Sequence, residues 1–144
     1  MGLSEALTSP TKKSNVVADC CSLVDEEVRD KSGFSGIAVK AGYAAVKGVK
    51  PGFVAEVVEK LLPEFAANLD PLWQEGKQKG DPVAFMTNNK SRAADALLSI
   101  TDAKAKNAKS AMVRGTYEKL RGSAKKNVED AIPRLARLLL KHDT

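Results

Sequence analysis

KPGFVAEVVEKLLPEFAANLDPLW, residues 50–73, decides the fold class of this chain. Its apolar positions are Phe53, Val54, Val57, Val58, Leu61, Leu62, Phe65, Leu69, Leu72 and Trp73. They are separated by steps of one, three and four, the spacing of one broad helical face. Glu56, Glu59, Lys60 and Glu64 fall on the opposite side. Three of the seven aromatic residues lie in this stretch, and no other segment is as densely apolar. The spacing predicts a central helix on which the other helices close. Pro63 predicts a kink or a restart within it, because proline removes one helical bond and crowds the preceding turn.

To the N-terminal side, Ser9-Pro10 has the chemistry of a cap followed by proline at a first helical position. Ser14 offers a second start. A helix is expected up to Lys31, with Val16, Val17, Cys20, Leu23, Val24 and Val28 inward and Asp25, Glu26, Glu27 and Asp30 facing water. Ser32-Gly33 should end it. Residues 1–13 read as a loose arm. Gly36–Val49 predicts a second helix with a seam of small residues, Ala38, Ala41, Gly42, Ala44, Ala45 and Gly48, suited to close packing against another helix. An interior glycine costs about 1 kcal/mol relative to alanine, which close approach can recover.

To the C-terminal side, Asp70-Pro71 and Asp81-Pro82 carry the same cap-and-proline signal, with GKQKG (76–80) between them as a solvated loop. Val83, Phe85 and Met86 begin the next helix, and Asn88-Asn89 loosens it. Ser91 is the candidate cap for a helix burying Ala94, Leu97, Leu98 and Ile100, which continues through Ala103–Val113. Gly115 and Gly122 should punctuate the chain beyond Val113. A last helix is expected from Asn127, with Val128, Ala131, Ile132, Leu135, Leu138 and Leu139 inward and residues 142–144 fraying. No segment has the two-residue alternation of a strand. The expected fold class is therefore all-α: one compact multi-helix bundle, residues 1–144, of five to seven helices of uneven length.

With 144 residues and 43% hydrophobic composition, the chain can bury a core without metal or disulfide. The only cysteines, Cys20 and Cys21, are sequence neighbours and make no disulfide framework. No apolar run approaches the ~20 residues of a membrane span. The first residues lack a basic start and apolar block, so no secretory signal is expected. A reducing, cytoplasmic location is the expectation. Net charge is +5 and unevenly spread. Residues 1–72 hold eight Lys/Arg and ten Asp/Glu, whereas residues 73–144 hold fifteen and eight. Eight cations cluster between positions 104 and 126: Lys104, Lys106, Lys109, Arg114, Lys119, Arg121, Lys125 and Lys126. They form the candidate anionic-ligand patch. On one continuous helix their directions would scatter around the barrel, and only Tyr117 interleaves as an aromatic. A solvated basic face is the simpler expectation.

Four segments, GYAAVKGVKPGFVAEVVEKLLPEF, LDPLW, RAADALLSITDAKA and GTYEKLRGSAKKNVEDAIPRLARLL, resemble a family of small uncharacterised actinobacterial helical proteins. The resemblance spans Ser14 to His142. It implies a cytosolic, single-domain helical protein and carries over no activity, cofactor or site.

Catalytic patterns are missing from the sequence. His142 is the only histidine and sits beside the terminus, where a solvated residue is expected rather than a base. No Glu-x-x-His, GxSxG or phosphate-cradling glycine loop occurs at Gly76-Lys77. Gly33-Phe34-Ser35-Gly36 matches a bare GxxG, but lacks the strands and basic residues of an RNA clamp. Asp25, Glu26, Glu27 and Asp30 lack the loop geometry of a calcium site. Inert buried thiols are expected of Cys20-Cys21. RLARLLLKH (134–142) has the character of a basic amphipathic helix, but its leucines are expected to close the core. No cofactor is expected. The primary reading is a non-enzymatic protein-binding or self-associating module with a protein partner or a homodimer. The alternative is a nucleic-acid-associated protein using residues 104–126. A third is a carrier of an apolar ligand between helices.

Overall fold

A computed structural model describes residues 2–143 except Ser32 and Val49. Within α3 and α7, the side chains of Gly33, Phe34, Ser35, Ala38, Gly42, Val46, Val113, Thr116 and Leu120 lie outside the description. The GxxG stretch and part of the small-residue seam therefore fall outside it. The described residues form seven helices: α1 (Leu3–Thr8), α2 (Lys13–Arg29), α3 (Gly33–Lys47), α4 (Phe53–Gln78), α5 (Pro82–Asn88), α6 (Lys90–Lys106) and α7 (Ala111–His142). No strand occurs among them, so the all-α expectation holds. None of these helices is long and apolar enough to cross a membrane.

The expected central helix is α4. Its buried stripe is Leu62, Ala66, Leu69, Leu72, Trp73 and Gly76, and Trp73 is fully enclosed. It runs 26 residues without a restart. Pro63 and Pro71 both lie inside it on exposed positions, as do Glu59 and Ala67, four residues before them. The carbonyls that the prolines cannot satisfy thus lie on the solvent side, where water replaces the lost bond. Asp70 does not open a helix, contrary to the cap reading. Its carboxylate accepts a hydrogen bond from the Leu3 backbone N–H (2.8 Å) at the start of α1. GKQKG is mostly helix rather than loop. Gly76 is buried against α5, where an added Cβ would meet Pro82 Cα at 2.9 Å and Phe85 Cβ at 3.1 Å. The turn comes one residue after Lys79, at Gly80, whose φ of 96° a side chain would oppose.

The expectation of a loose N-terminal arm over residues 1–13 is corrected: Leu3, Ala6 and Leu7 of α1 are buried in the core and α1 packs on α4. Ser9 does not open a helix at Pro10. Its carbonyl accepts from Lys12 and Lys13, and α2 begins at Lys13. Asp81 does cap α5, accepting from Ala84 N at 3.0 Å with Pro82 at the first position. α6 begins at Lys90 after Asn89, ahead of Ser91, and ends at Lys106. α7 then runs 32 residues through Gly115, Gly122 and Pro133, so the predicted breaks and the separate start at Asn127 do not exist. Nothing lies within 4 Å of a Cβ placed on Gly115 or Gly122, so neither glycine serves close packing.

α1, α2, α5 and α6 each touch both long helices, whereas α4 and α7 make no close backbone approach to each other among the described residues. The four shorter helices act as spacers. Among the described residues α3 contacts only α2 and α4. The core fills the interval with Leu62, Leu69 and Trp73 from one side and Ile132, Ala136 and Leu139 from the other.

Candidate ligand cavity

The interval between α4 and α7 is not filled completely. A cavity of about 400 Å³ remains, walled by every helix except α5. α2 contributes Val16, Cys20, Leu23, Val24 and Val28, spaced three or four apart and so on one face. α4 contributes Val58, Leu62, Phe65, Ala66 and Leu69. α7 contributes Val128, Ala131, Ile132, Leu135, Leu138 and Leu139. Leu7, Leu97, Leu98 and Val39 come from α1, α6 and α3. Most of the α2, α4 and α7 positions are those predicted to face inward, whereas Leu7, Val39 and Ala66 are not among them. What the sequence does not convey is that they enclose space instead of meeting.

The polar groups of the wall are few: Glu27, Lys31, Thr101 and Asn127, with the Cys20 thiol. Each of the first three is already engaged. Glu27 Oε2 accepts from Arg134 Nη1 at 2.5 Å, and Lys31 Nζ donates to Asp130 Oδ2 at 3.0 Å. Thr101 Oγ1 donates to the Leu98 carbonyl (3.0 Å) and shares a hydrogen bond with the Tyr117 hydroxyl (2.8 Å). Burial raises the Cys20 thiol to about 11, with the Cys21 and Asp19 charges adding to it. A thiol so placed is protonated at neutral pH and serves as wall, not nucleophile.

One flank of the cavity is closed by an electrostatic seam between α2 and α7. The acidic residues of α2, expected to face water, mostly face α7. Glu26 (3.4 Å), Glu27 and Asp30 converge on Arg134. Asp25 turns the other way, pairing with Lys47 (3.7 Å) and accepting the Tyr43 hydroxyl of α3. Asp19 accepts from Lys141 (2.9 Å) and lies 2.6 Å from His142 Nε2. These bonds hold its carboxyl below the usual carboxylate range, Lys141 contributing most and His142 next. His142 is therefore corrected from a solvated tail residue to a buried one, 8% exposed, in the last turn of α7. The expected fraying at 142–144 is corrected for 142 and 143: Asp143 receives the Trp73 indole N–H at 2.7 Å and Lys77 Nζ at 3.1 Å. Thr144 lies outside the described residues.

The basic residues of the candidate anionic patch do not share one surface. Arg121 bridges to Asp102 through Nε (2.9 Å) and Nη2 (3.1 Å) and lies 3.6 Å from Asp95, whose other oxygen takes Lys125 at 3.1 Å. Arg114 donates to the Ala108 carbonyl. Arg121 and Lys125, four residues apart, fasten α7 to α6, whereas Arg114 holds the connection between the two helices. Lys104 pairs with Glu64 of α4 at 3.6 Å. Lys106 and Lys109 are exposed where α6 gives way to α7, and Lys119 and Lys126 are exposed along α7. These four make no ion pair among the described residues. The spacing that scattered the charges in sequence scatters them in space, and Lys104, Arg121 and Lys125 pair with carboxylates on neighbouring helices.

No curated protein and no solved structure matches the chain. Residues 3–143 match DUF6918, a family of unknown function. The match covers all seven helices up to Asp143, and the chain belongs to that family.

Proposed function

We propose that this protein is a non-enzymatic binding protein whose site is the cavity between α4 and α7, and that its ligand is apolar. The observation that carries this reading is the cavity itself: about 400 Å³, walled almost wholly by aliphatic side chains. Ligand sites of small molecules fall in this size range and have this character. The energetic argument points the same way: a bound apolar molecule would cover aliphatic wall that water otherwise meets. Organic extraction of protein purified without detergent, followed by mass spectrometry, should release about one apolar molecule per chain. Release of none, from protein that also takes up no hydrophobic dye, refutes the proposal.

Self-association is a second reading, favoured by α3. Ile37 is 66% exposed there, Ala41, Ala44 and Ala45 are exposed beside it, and Val57 of α4 is exposed as well. Such a surface suits a second copy or a protein partner. Sedimentation should then show a dimer that Ile37→Glu dissociates, and a monomer at every concentration would exclude the homodimer. Nucleic-acid binding through residues 104–126 has less support, since Arg121 and Lys125 are committed to Asp95 and Asp102. Any such binding should weaken steeply with salt.

A further inference from the structure

We infer that the cavity's ligand is an uncharged single-chain lipid, a long-chain alcohol or ester, held at its polar end by Asn127. The inference rests on the cavity being the ligand site and concerns what that site selects. Length follows from volume. An apolar cavity of ~150 Å³ accommodates benzene, so about 400 Å³ takes a chain of roughly sixteen carbons.

The charge of the ligand follows from the rim. Among the described residues Lys31 is the one cation in the cavity wall, and its ammonium is taken by Asp130. Among the described residues Glu27 is the one carboxylate in the wall, and it shares the single Arg134 guanidinium with Glu26 and Asp30. An anionic headgroup would have to take Lys31 from Asp130 and would face three carboxylates that share one guanidinium, and a cationic one would compete with Arg134 for those carboxylates. Asn127 differs from its neighbours. Its side-chain amide is partly exposed on the wall of the cavity and makes no hydrogen bond among the described residues. It carries both donors and an acceptor. A hydroxyl or an ester carbonyl can therefore bond to it without displacing an existing contact. A carboxylate could use only the donors, and would still be desolvated without a countercharge.

The test is displacement of the neutral dye Nile red from the full chain at pH 8 by 1-dodecanol, methyl dodecanoate and dodecanoate. The alcohol and the ester should bind within threefold of each other, and the ionised acid at least tenfold more weakly. Asn127→Val should weaken the alcohol about tenfold more than it weakens Nile red, and Asn127→Gln should recover most of the alcohol affinity. Dodecanoate binding as tightly as the alcohol overturns the inference and leaves the cavity reading standing. Dye uptake with displacement by none of the three also overturns it. An unaltered alcohol affinity in Asn127→Val removes the role given to Asn127. Failure of the chain to take up Nile red at all overturns the cavity reading, and this inference with it.

Discussion

Ala66→Leu tests the space between the long helices by filling it. Ala66 is buried on α4, within the cavity wall and opposite the α7 face that carries Ile132 and Leu135. The substitution adds three carbons. At about 0.8 kcal/mol per buried carbon this contributes ~2.4 kcal/mol. Ordering the leucine side chain opposes it by about 0.5–1 kcal/mol. The expected net effect is a stabilisation of about 1.5 kcal/mol, measured on ligand-free protein. For a chain of this length that corresponds to a rise in melting temperature of roughly 5 °C. The same leucine should lower the affinity for Nile red, because it occupies the volume that the dye needs. Urea unfolding with an unchanged slope gives the free energy, and a fluorescence titration gives the affinity. Overpacking of a closed core destabilises by about 1–3 kcal/mol. A loss of stability of that size would show that the wall around Ala66 is already in contact, and would refute the reasoning.

Other outcomes follow from single residues. Gly122→Ala should stabilise by about 0.5–1 kcal/mol, since nothing lies near the added methyl in an uninterrupted helix, whereas Gly76→Ala should destabilise against Pro82 and Phe85; chemical denaturation reads both. Asp19 has a depressed carboxyl, so its contribution is complete above the unfolded carboxylate value of about 4 and is lost as pH falls through the folded one. Asp19→Asn should therefore lower the melting temperature at pH 7, and the difference from wild type should shrink progressively as pH falls below about 4. In a Cys21→Ser variant, Cys20 should react slowly with a thiol reagent at neutral pH, speed up as pH rises towards 11, and be protected by a bound ligand.

The apolar rhythm of residues 53–73 was enough to identify α4, because burial of one face is a local property of a helix. The face predicted for α7 from Val128 to Leu139 was likewise correct. Punctuation was less informative. Gly115, Gly122, Pro63 and Pro71 carry breaking chemistry, yet each lies where a continuous helix tolerates it: open space beside the glycines, and exposed positions for the two prolines. His142 and Asp19 are 123 residues apart, and Asp70 caps a helix 67 residues away. Contacts of that range leave no trace in local spacing. The cavity was inaccessible for a related reason. Sequence names the side chains that leave water, but the distance between α4 and α7 is set by four spacer helices acting together. The basic segment shows the converse, because its charge was obvious and its carboxylate partners on α6 were not.

The central claim is that the space between α4 and α7 is occupied in the working protein. The direct measurement is the melting temperature of protein purified without detergent, compared before and after organic extraction and refolding. A ligand at 100 times its dissociation constant contributes about 2.7 kcal/mol. Extraction should therefore lower the melting temperature by roughly 9 °C, and adding the extract back should restore it. An identical melting temperature in the two preparations, with no effect of the extract, would contradict the account.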